Sequence, residues 1–151
     1  MMDIKIRLAN KEDRDLLFHH FMHYNNRKHQ RRRVDCFIEH NYSLLMFVDG
    51  QFTGIVQWYV KEDPRLGVVE LEELFIQEVY RNKGMGTQLV EKALLEIKKL
   101  INPLHSIFLF IDKNDEVTQR IFNKFGFKKV AEIPDLFKNN EIEILFLKTF
   151  V

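Results

Sequence analysis

The sequence has a single cysteine, Cys36. That excludes an internal disulfide and any cysteine-rich metal site. It has almost no net charge. Its 23 lysines and arginines against 22 acidic residues leave +1, so nothing draws it as a whole toward nucleic acid or an anionic membrane. No apolar run is long enough to span a bilayer. The opening Met1-Met2-Asp3-Ile4-Lys5 lacks the apolar core of a signal peptide, so a cytoplasmic protein is expected. Linkers, internal repeats and low-complexity segments are missing too. What remains is 46% hydrophobic and 30% charged, the balance of one soluble domain over residues 1–151 with one core.

Ile4, Ile6 and Leu8 alternate with Lys5 and Arg7, as in a half-buried strand. Asn10, with Asp13 three residues on, predicts a capped helix whose apolar face is Leu16, Leu17 and Phe21. His19 and His23 are four apart, a spacing that could share a metal. Without a third ligand nearby they are read as packed or solvent-facing, and no metal is expected. Arg27 to Arg33 is the most charged run, expected to be a solvated face beside a second helix that turns Val34, Phe37 and Ile38 inward. Asp49-Gly50 between two apolar runs predicts a two-residue hairpin turn. Asp63-Pro64 breaks the next connection, and Val68 to Ile76 is then a third antiparallel strand.

That strand leads through Gln77-Glu78-Val79-Tyr80 into Arg81-Asn82-Lys83-Gly84-Met85-Gly86-Thr87. A helix follows, with Leu89, Val90, Ala93, Leu94 and Ile97 on one stripe. Strand, glycine turn, helix is the layout of an anion site. The first helical turn has N–H groups without intrahelical partners, and glycine lets a phosphate approach the backbone. Two glycines do not make the GxGxxG of a dinucleotide fold, and Gly84-Met85-Gly86-Thr87 lacks a P-loop lysine. Ile107 to Ile111 reads as a central strand. A helix starting at Asn114-Asp115 follows, with Val117, Ile121, Phe122 and Phe125 on its stripe and Gly126 at its end. Phe127 to Ala131 and Ile142 to Leu147 complete the order βααβββαβαββ. This is an α/β (α+β) chain with a mixed, mostly antiparallel sheet of about seven strands flanked by about four helices.

Arg81-x-x-Gly84-x-Gly86 resembles the Arg/Gln-x-x-Gly-x-Gly/Ala signature of the GNAT superfamily of acyl-CoA-dependent N-acetyltransferases. Asn114 with Ile121-Phe122-Asn123-Lys124-Phe125-Gly126-Phe127 resembles a second segment of that family, and the order of elements is similar to the GNAT fold over essentially the whole chain. The resemblance implies acetyl-CoA as cosubstrate, with its pyrophosphate on the amides of Arg81, Asn82, Lys83, Gly84, Met85, Gly86 and Thr87. It implies that the pantetheine arm pairs with Leu74, Phe75 and Ile76 and bonds Asn114. The amide of Phe75 or Ile76 would polarise the thioester carbonyl. Phe122 stands where many members have a tyrosine general acid. It can pack against the coenzyme but cannot donate a proton, which leaves Tyr59, Tyr80 or water for that role. A homodimer is common in the family, though no residue here specifies one.

Acetyl transfer to an amine needs a neutral nitrogen, and an alkyl ammonium with pKa near 10 is only about 0.1% neutral at pH 7. A base must take the proton. Glu70, Glu72 and Glu73 lie on the strand before the turn. Strict alternation places Glu70 and Glu72 with Leu74 and Ile76, and Glu73 with Leu71 and Phe75. Glu70 is favoured as base because the family's glutamate often sits there, with Glu72 and Glu73 as alternates. The expected function is transfer of acetyl to a small or peptide amine by direct attack, since Cys36 lies outside the motifs. The alternative is a non-catalytic acyl-CoA-binding module. Neither nucleic acid nor membrane is expected as a partner.

Overall fold

The computed structural model of the chain describes residues 1–24 and 30–150, apart from the side chains of 22–24 and 30–32. Strands β1 (Ile4–Leu8), β2 (Ser43–Val48), β3 (Gln51–Val60) and β4 (Val68–Ile76) pair antiparallel in that order. Helices α1 (Arg14–Tyr24) and α2 (Gln30–Glu39) lie between β1 and β2 in the chain. From β4 the chain passes through α3 (Met85–Leu100) to β5 (Ser106–Asp112), which lies parallel to β4. Helix α4 (Glu116–Lys124) precedes β6 (Lys128–Pro134) and β7 (Ile142–Thr149), giving one sheet in the order β1-β2-β3-β4-β5-β7-β6. The element order and the mixed sheet are those expected from the sequence.

Local chemistry explains the joints. Asp49 and Gly50 take φ of 48° and 80°, the two left-handed positions that a tight hairpin turn demands. The Asn10 side chain accepts from the Glu12 amide, and the Asp13 carboxylate accepts from the Asn10 amide. The expected capping box thus forms over a single 3-10 turn, Lys11–Asp13, ahead of α1. Arg7 donates two hydrogen bonds to Asp13, at 2.7 and 2.9 Å, tying β1 to the start of the helix.

The sheet carries a core on each face. One holds α3 through Met85, Leu89, Val90, Ala93, Leu94 and Ile97, packed with Val56, Trp58, Val69 and Leu71. The other packs Leu17 and Phe21 of α1 and Val34 of α2 on Leu45 and Ile55. Most of the basic run, Arg27 to Arg32, and His23 lie outside the described residues or side chains.

Strict alternation along β4 fails at one place. Gln57 pairs with Glu73 but Trp58 pairs with Leu71, so Glu72 is the extra residue of a β-bulge. Val69, Leu71, Leu74 and Ile76 all join the α3 core, whereas Phe75 packs with the α1–α2 core. The expected grouping of Glu73 with Leu71, and of Glu70 and Glu72 with Leu74 and Ile76, is therefore corrected. Glu72 reaches Arg33 of α2 and Glu73 reaches His20 of α1. One inserted residue resets the side-chain period and turns two successive carboxylates to the same face.

The hydrogen bonds from Arg7, and the backbone bond from Asn10, outweigh burial and hold the Asp13 carboxyl below the usual range. A depressed carboxylate stabilises the fold above the unfolded pKa near 4, and the effect is lost as pH falls through the folded value. Arg7 is 44% exposed, so solvent screens its share. Asp13→Asn should cost about 1 kcal/mol at pH 7, or about 3 °C in Tm. Thermal unfolding of both proteins at pH 7 and pH 3 should show the gap closing in acid.

Candidate active site

β4 and β5 share only three rungs: Val68 with Ser106, Val69 with Ile107, and Glu70 with Phe108. Beyond Glu70 the strands part, and the rest of β4 has no partner on that side among the described pairings. The bulge begins two residues later and adds local twist where the strands separate. A gap in mid-sheet is costly unless something pairs with the freed backbone groups, so it marks a ligand site.

On the α3 side the gap opens into a cavity of about 580 Å³. Its lining begins with Leu74, Phe75 and Ile76 of β4. It continues through Tyr80, Arg81, Asn82, Gly84, Met85, Gly86 and Thr87, and closes with Thr118, Arg120, Ile121 and Lys124 of α4. Arg81 Nε donates to the Ile76 carbonyl at 2.7 Å, and the guanidinium lies over the Phe75 ring at 5.6 Å. Arg81 therefore braces the turn as well as facing the cavity. Asn82 and Gly84 adopt φ of 62° and 78°, curling the backbone into α3. Gly84 is the N-cap of α3 and supplies no side-chain cap, so the first amides of the helix are left to a ligand. A Cβ on Gly86 would stand 3.1 Å from Ile121 Cδ1, so the turn and α4 approach as closely as glycine allows. This cradle fits a diphosphate, with the narrow gap beyond it suited to a thin, amide-bearing arm.

Adjoining that cavity, and sharing Leu74, Asp115 and Thr118 with it, lies a cleft of about 210 Å³. Leu71, Glu72 and Glu73 of β4 face Leu109, Phe110 and Asp112 of β5 across it, and Phe122 closes it below. Phe122 is fully buried and packs edge-to-face on Phe127, 5.1 Å between ring centres. Phe137, on the β6–β7 connection, stands edge-to-face over Phe110 at 5.7 Å. Asp112, Glu141 and Glu143 bring carboxylate oxygens within 4.8 Å of one another at the end of β5 and β7. Burial, and then the charges of Asp112 and Glu141, push the Glu143 carboxyl up.

The three glutamates part company here. Glu72 and Glu73 line the cleft, while Glu70 does not and pairs with Lys61 at 2.6 Å. Glu72 is ion-paired with Arg33 of α2, and Glu73 Oε1 is 3.5 Å from His20 Nε2. Of the residues expected at the coenzyme, the structure brings together Leu74, Phe75, Ile76, Arg81, Asn82, Gly84, Met85, Gly86 and Thr87. Lys83 and Asn114 are exposed and line neither cavity. Lys83 lies over the Tyr80 ring, and the Asn114 amide donates to Asp112 Oδ1. Sequence reasoning missed Arg120 and Lys124, although two cations at i and i+4 beside the apolar stripe of α4 were a readable signal. It also missed His20 and the Asp112–Glu141–Glu143 trio, which only the tertiary fold assembles. Burial, and then Glu39, push the Cys36 thiol up, which makes it a poor nucleophile.

Where β4 and β5 part, a cavity with a phosphate-sized cradle thus adjoins a cleft lined by carboxylates. Residues 8–127 match the family model described as the acetyltransferase (GNAT) family. The chain belongs to that family. A spermine/spermidine N(1)-acetyltransferase from Bacillus subtilis (strain 168) is 28% identical over 92 residues, 58% of this chain and 60% of that protein. The chain thus matches less than two thirds of that relative's length. Among solved structures, a GNAT-family acetyltransferase from Streptococcus pneumoniae superposes with a TM-score of 0.81 at 19% identity, covering 99% of this chain and 100% of the other. The yncA protein of Salmonella typhimurium, solved with its cofactor acetyl-CoA, gives 0.79 at 18% identity, covering 97% and 94%. These likenesses show the fold. No helix among the described residues is long and apolar enough to cross a membrane.

Acetyl-CoA at 100 times its Kd should add about 2.7 kcal/mol of stability, raising Tm by about 5–10 °C. Gly86→Glu puts a carboxylate and a clash with Ile121 into the cradle and should abolish most of the rise. An unchanged Tm at millimolar ligand would remove the coenzyme from this cavity.

Proposed function

We propose that the chain is an N-acetyltransferase, one domain over residues 1–151, that moves acetyl from acetyl-CoA to a primary amine by direct attack in a ternary complex. The observation that carries this reading is the gap after the third β4–β5 rung, where a phosphate cradle adjoins a carboxylate-lined cleft. Acetyl-CoA supplies an activated acyl thioester. The free edge of β4 at Leu74 to Ile76 offers backbone groups that orient the pantetheine amides like an added strand. An amide of Phe75 or Ile76 donates to the thioester oxygen, stabilising the charge that develops there.

The acceptor enters through the adjoining cleft. Glu72, Glu73 and Asp112 line that cleft, and Glu141 and Glu143 extend the acidic surface beside it, which favours a cationic amine. The apolar walls Leu109 and Phe110 suit its hydrocarbon portion. The distant likeness to a spermine/spermidine N(1)-acetyltransferase points the same way, and an aliphatic polyamine is the acceptor to try first.

Of the candidate bases, Glu70 is held by Lys61 where the strands still pair, and Glu72 is held by Arg33. Glu73 lines the cleft and faces an imidazole, so it is assigned the proton of the incoming ammonium. The freed nitrogen forms the C–N bond, the C–S bond breaks, and the thiolate takes up a proton. One further proton goes to solvent. Tyr80 lines the coenzyme cavity and is placed to assist the leaving group. Tyr59 is 39% exposed and lines neither cavity.

Thiol release with spermidine or another aliphatic amine tests the assignment. Glu73→Gln should lower kcat by about 100-fold while the Kd for acetyl-CoA is unchanged, and Glu70→Gln should leave most of the activity. The reverse order would move the base to Glu70. No turnover of any amine, with acetyl-CoA still bound, would favour an acyl-CoA-binding module, the reading to which the proton-free Phe122 points.

A further inference from the structure

His20 is 2% exposed yet titratable, and the mechanism above gives it no task. It stands on α1 inside an aromatic cage. Its ring centre is 4.7 Å from that of Phe75, 5.2 Å from Phe21 and 5.8 Å from Phe52. Each of these rings meets it edge-on or tilted, which fixes the plane of the imidazole. From that cage its Nε2 looks toward Glu73 Oε1, 3.5 Å away. A histidine interchangeable with an apolar residue would have no reason to present a ring nitrogen to a carboxylate at the cleft.

Three features converge on Glu73. The β-bulge turns it out of the α3 core toward α1. Its side chain is 17% exposed, on the lining of the acceptor cleft. Its neighbour Glu72, equally exposed, is neutralised by Arg33, so a second carboxylate stands beside Glu73 without adding a bare charge. Of the charged groups, Glu73 faces His20 directly, and Glu72 with Arg33 lies beyond it. Phe75 links the same imidazole to the strand segment that lines the coenzyme cavity.

We propose that His20 is the positioning residue for Glu73: its Nε2–H, held by the phenylalanine cage, fixes the carboxylate in the orientation that meets the acceptor's ammonium. This rests on the acetyltransferase reading and deepens it. His20 touches neither substrate. It holds the base from behind, as an orienting partner does in a catalytic dyad. Losing a fixed orientation lowers the fraction of base in a reactive geometry and affects turnover rather than coenzyme binding.

The first measurement needs no acetyl-CoA. Two-dimensional 15N–1H spectra of histidine-labelled protein, assigned with His20→Gln, report which ring nitrogen carries a proton. The expected result is a proton on His20 Nε2 whose shift moves in Glu73→Gln. A proton only on Nδ1, indifferent to Glu73→Gln, would overturn the proposal whether or not the protein acetylates anything. The second measurement is kinetic, with wild-type turnover as the control on the underlying reading. His20→Leu should lower kcat by about tenfold or more at unchanged KM for acetyl-CoA. His20→Gln, whose amide reaches the Nε2 position, should stay within about threefold of wild type. Equal kcat in His20→Leu, His20→Gln and wild type would reduce His20 to a packing residue. Should His20→Leu fail to fold, the spectra and the His20→Gln kinetics decide alone.

Discussion

The candidate site depends on β4 and β5 ceasing to pair after Glu70. A parallel pair normally continues as far as both strands last, because an abandoned rung leaves a donor and an acceptor without partners. Here β4 runs six residues past the last rung, and those residues supply both halves of the site. Leu74 to Ile76 line the coenzyme cavity, and Leu71 to Leu74 line the acceptor cleft. The sheet survives the opening because it is held on both sides of it. Seven-residue pairing of β5 with β7, and seven rungs between β3 and β4, fix the two halves. The α3 core, reaching from Val56 and Val69 to Ile107 and Ile144, spans the division below.

The bulge at Glu72 gives the opening its chemistry. Without it, alternation would send Glu73 into the α3 core beside Leu71, where an uncompensated carboxylate costs several kcal/mol. With it, two adjacent glutamates share one face and are met from α1 and α2 by His20 and Arg33. The helices that carry Leu17, Phe21 and Val34 into the second core therefore also carry the partners of the cleft. Packing and site chemistry come from neighbouring positions on the same two helices.

Much of this was legible in the sequence, and the physics says which part. The α3 stripe, the Asp49-Gly50 turn, the Asn10–Asp13 box and the Arg81-x-x-Gly84-x-Gly86 turn are local, set by residues within a turn or two of one another, and each stands where expected. The face assignment of the glutamates was not legible. A bulge is a property of two strands, and nothing within Val68 to Ile76 announces that Trp58 will skip Glu72. For the same reason nothing in the sequence singles out His20. Its meaning depends on a strand more than 50 residues away. Glu70 drew attention by its sequence position, yet Lys61, which pairs with it across the β3–β4 connection, could be weighed only once the strands were in register.

The acceptor side of the site follows a similar logic of distance. The proposed coenzyme half is built mainly from one contiguous stretch, the end of β4 and the turn into α3, with α4 beside it. The amine half is gathered from α1, α2, β4, β5 and the β6–β7 connection, through His20, Arg33, Glu73, Asp112 and Phe137. Five separate segments can change independently while the sheet stays the same, so acceptor choice is free to vary beneath a constant fold. Arg33 illustrates the consequence. Its guanidinium satisfies Glu72 at the cleft, so a cationic acceptor meets one engaged carboxylate and one held toward it by an imidazole. In the proposed mechanism this division makes Glu72 part of the wall and Glu73 the group that exchanges a proton. That assignment comes from the charges on two helices, whereas the strand alone offers three indistinguishable glutamates.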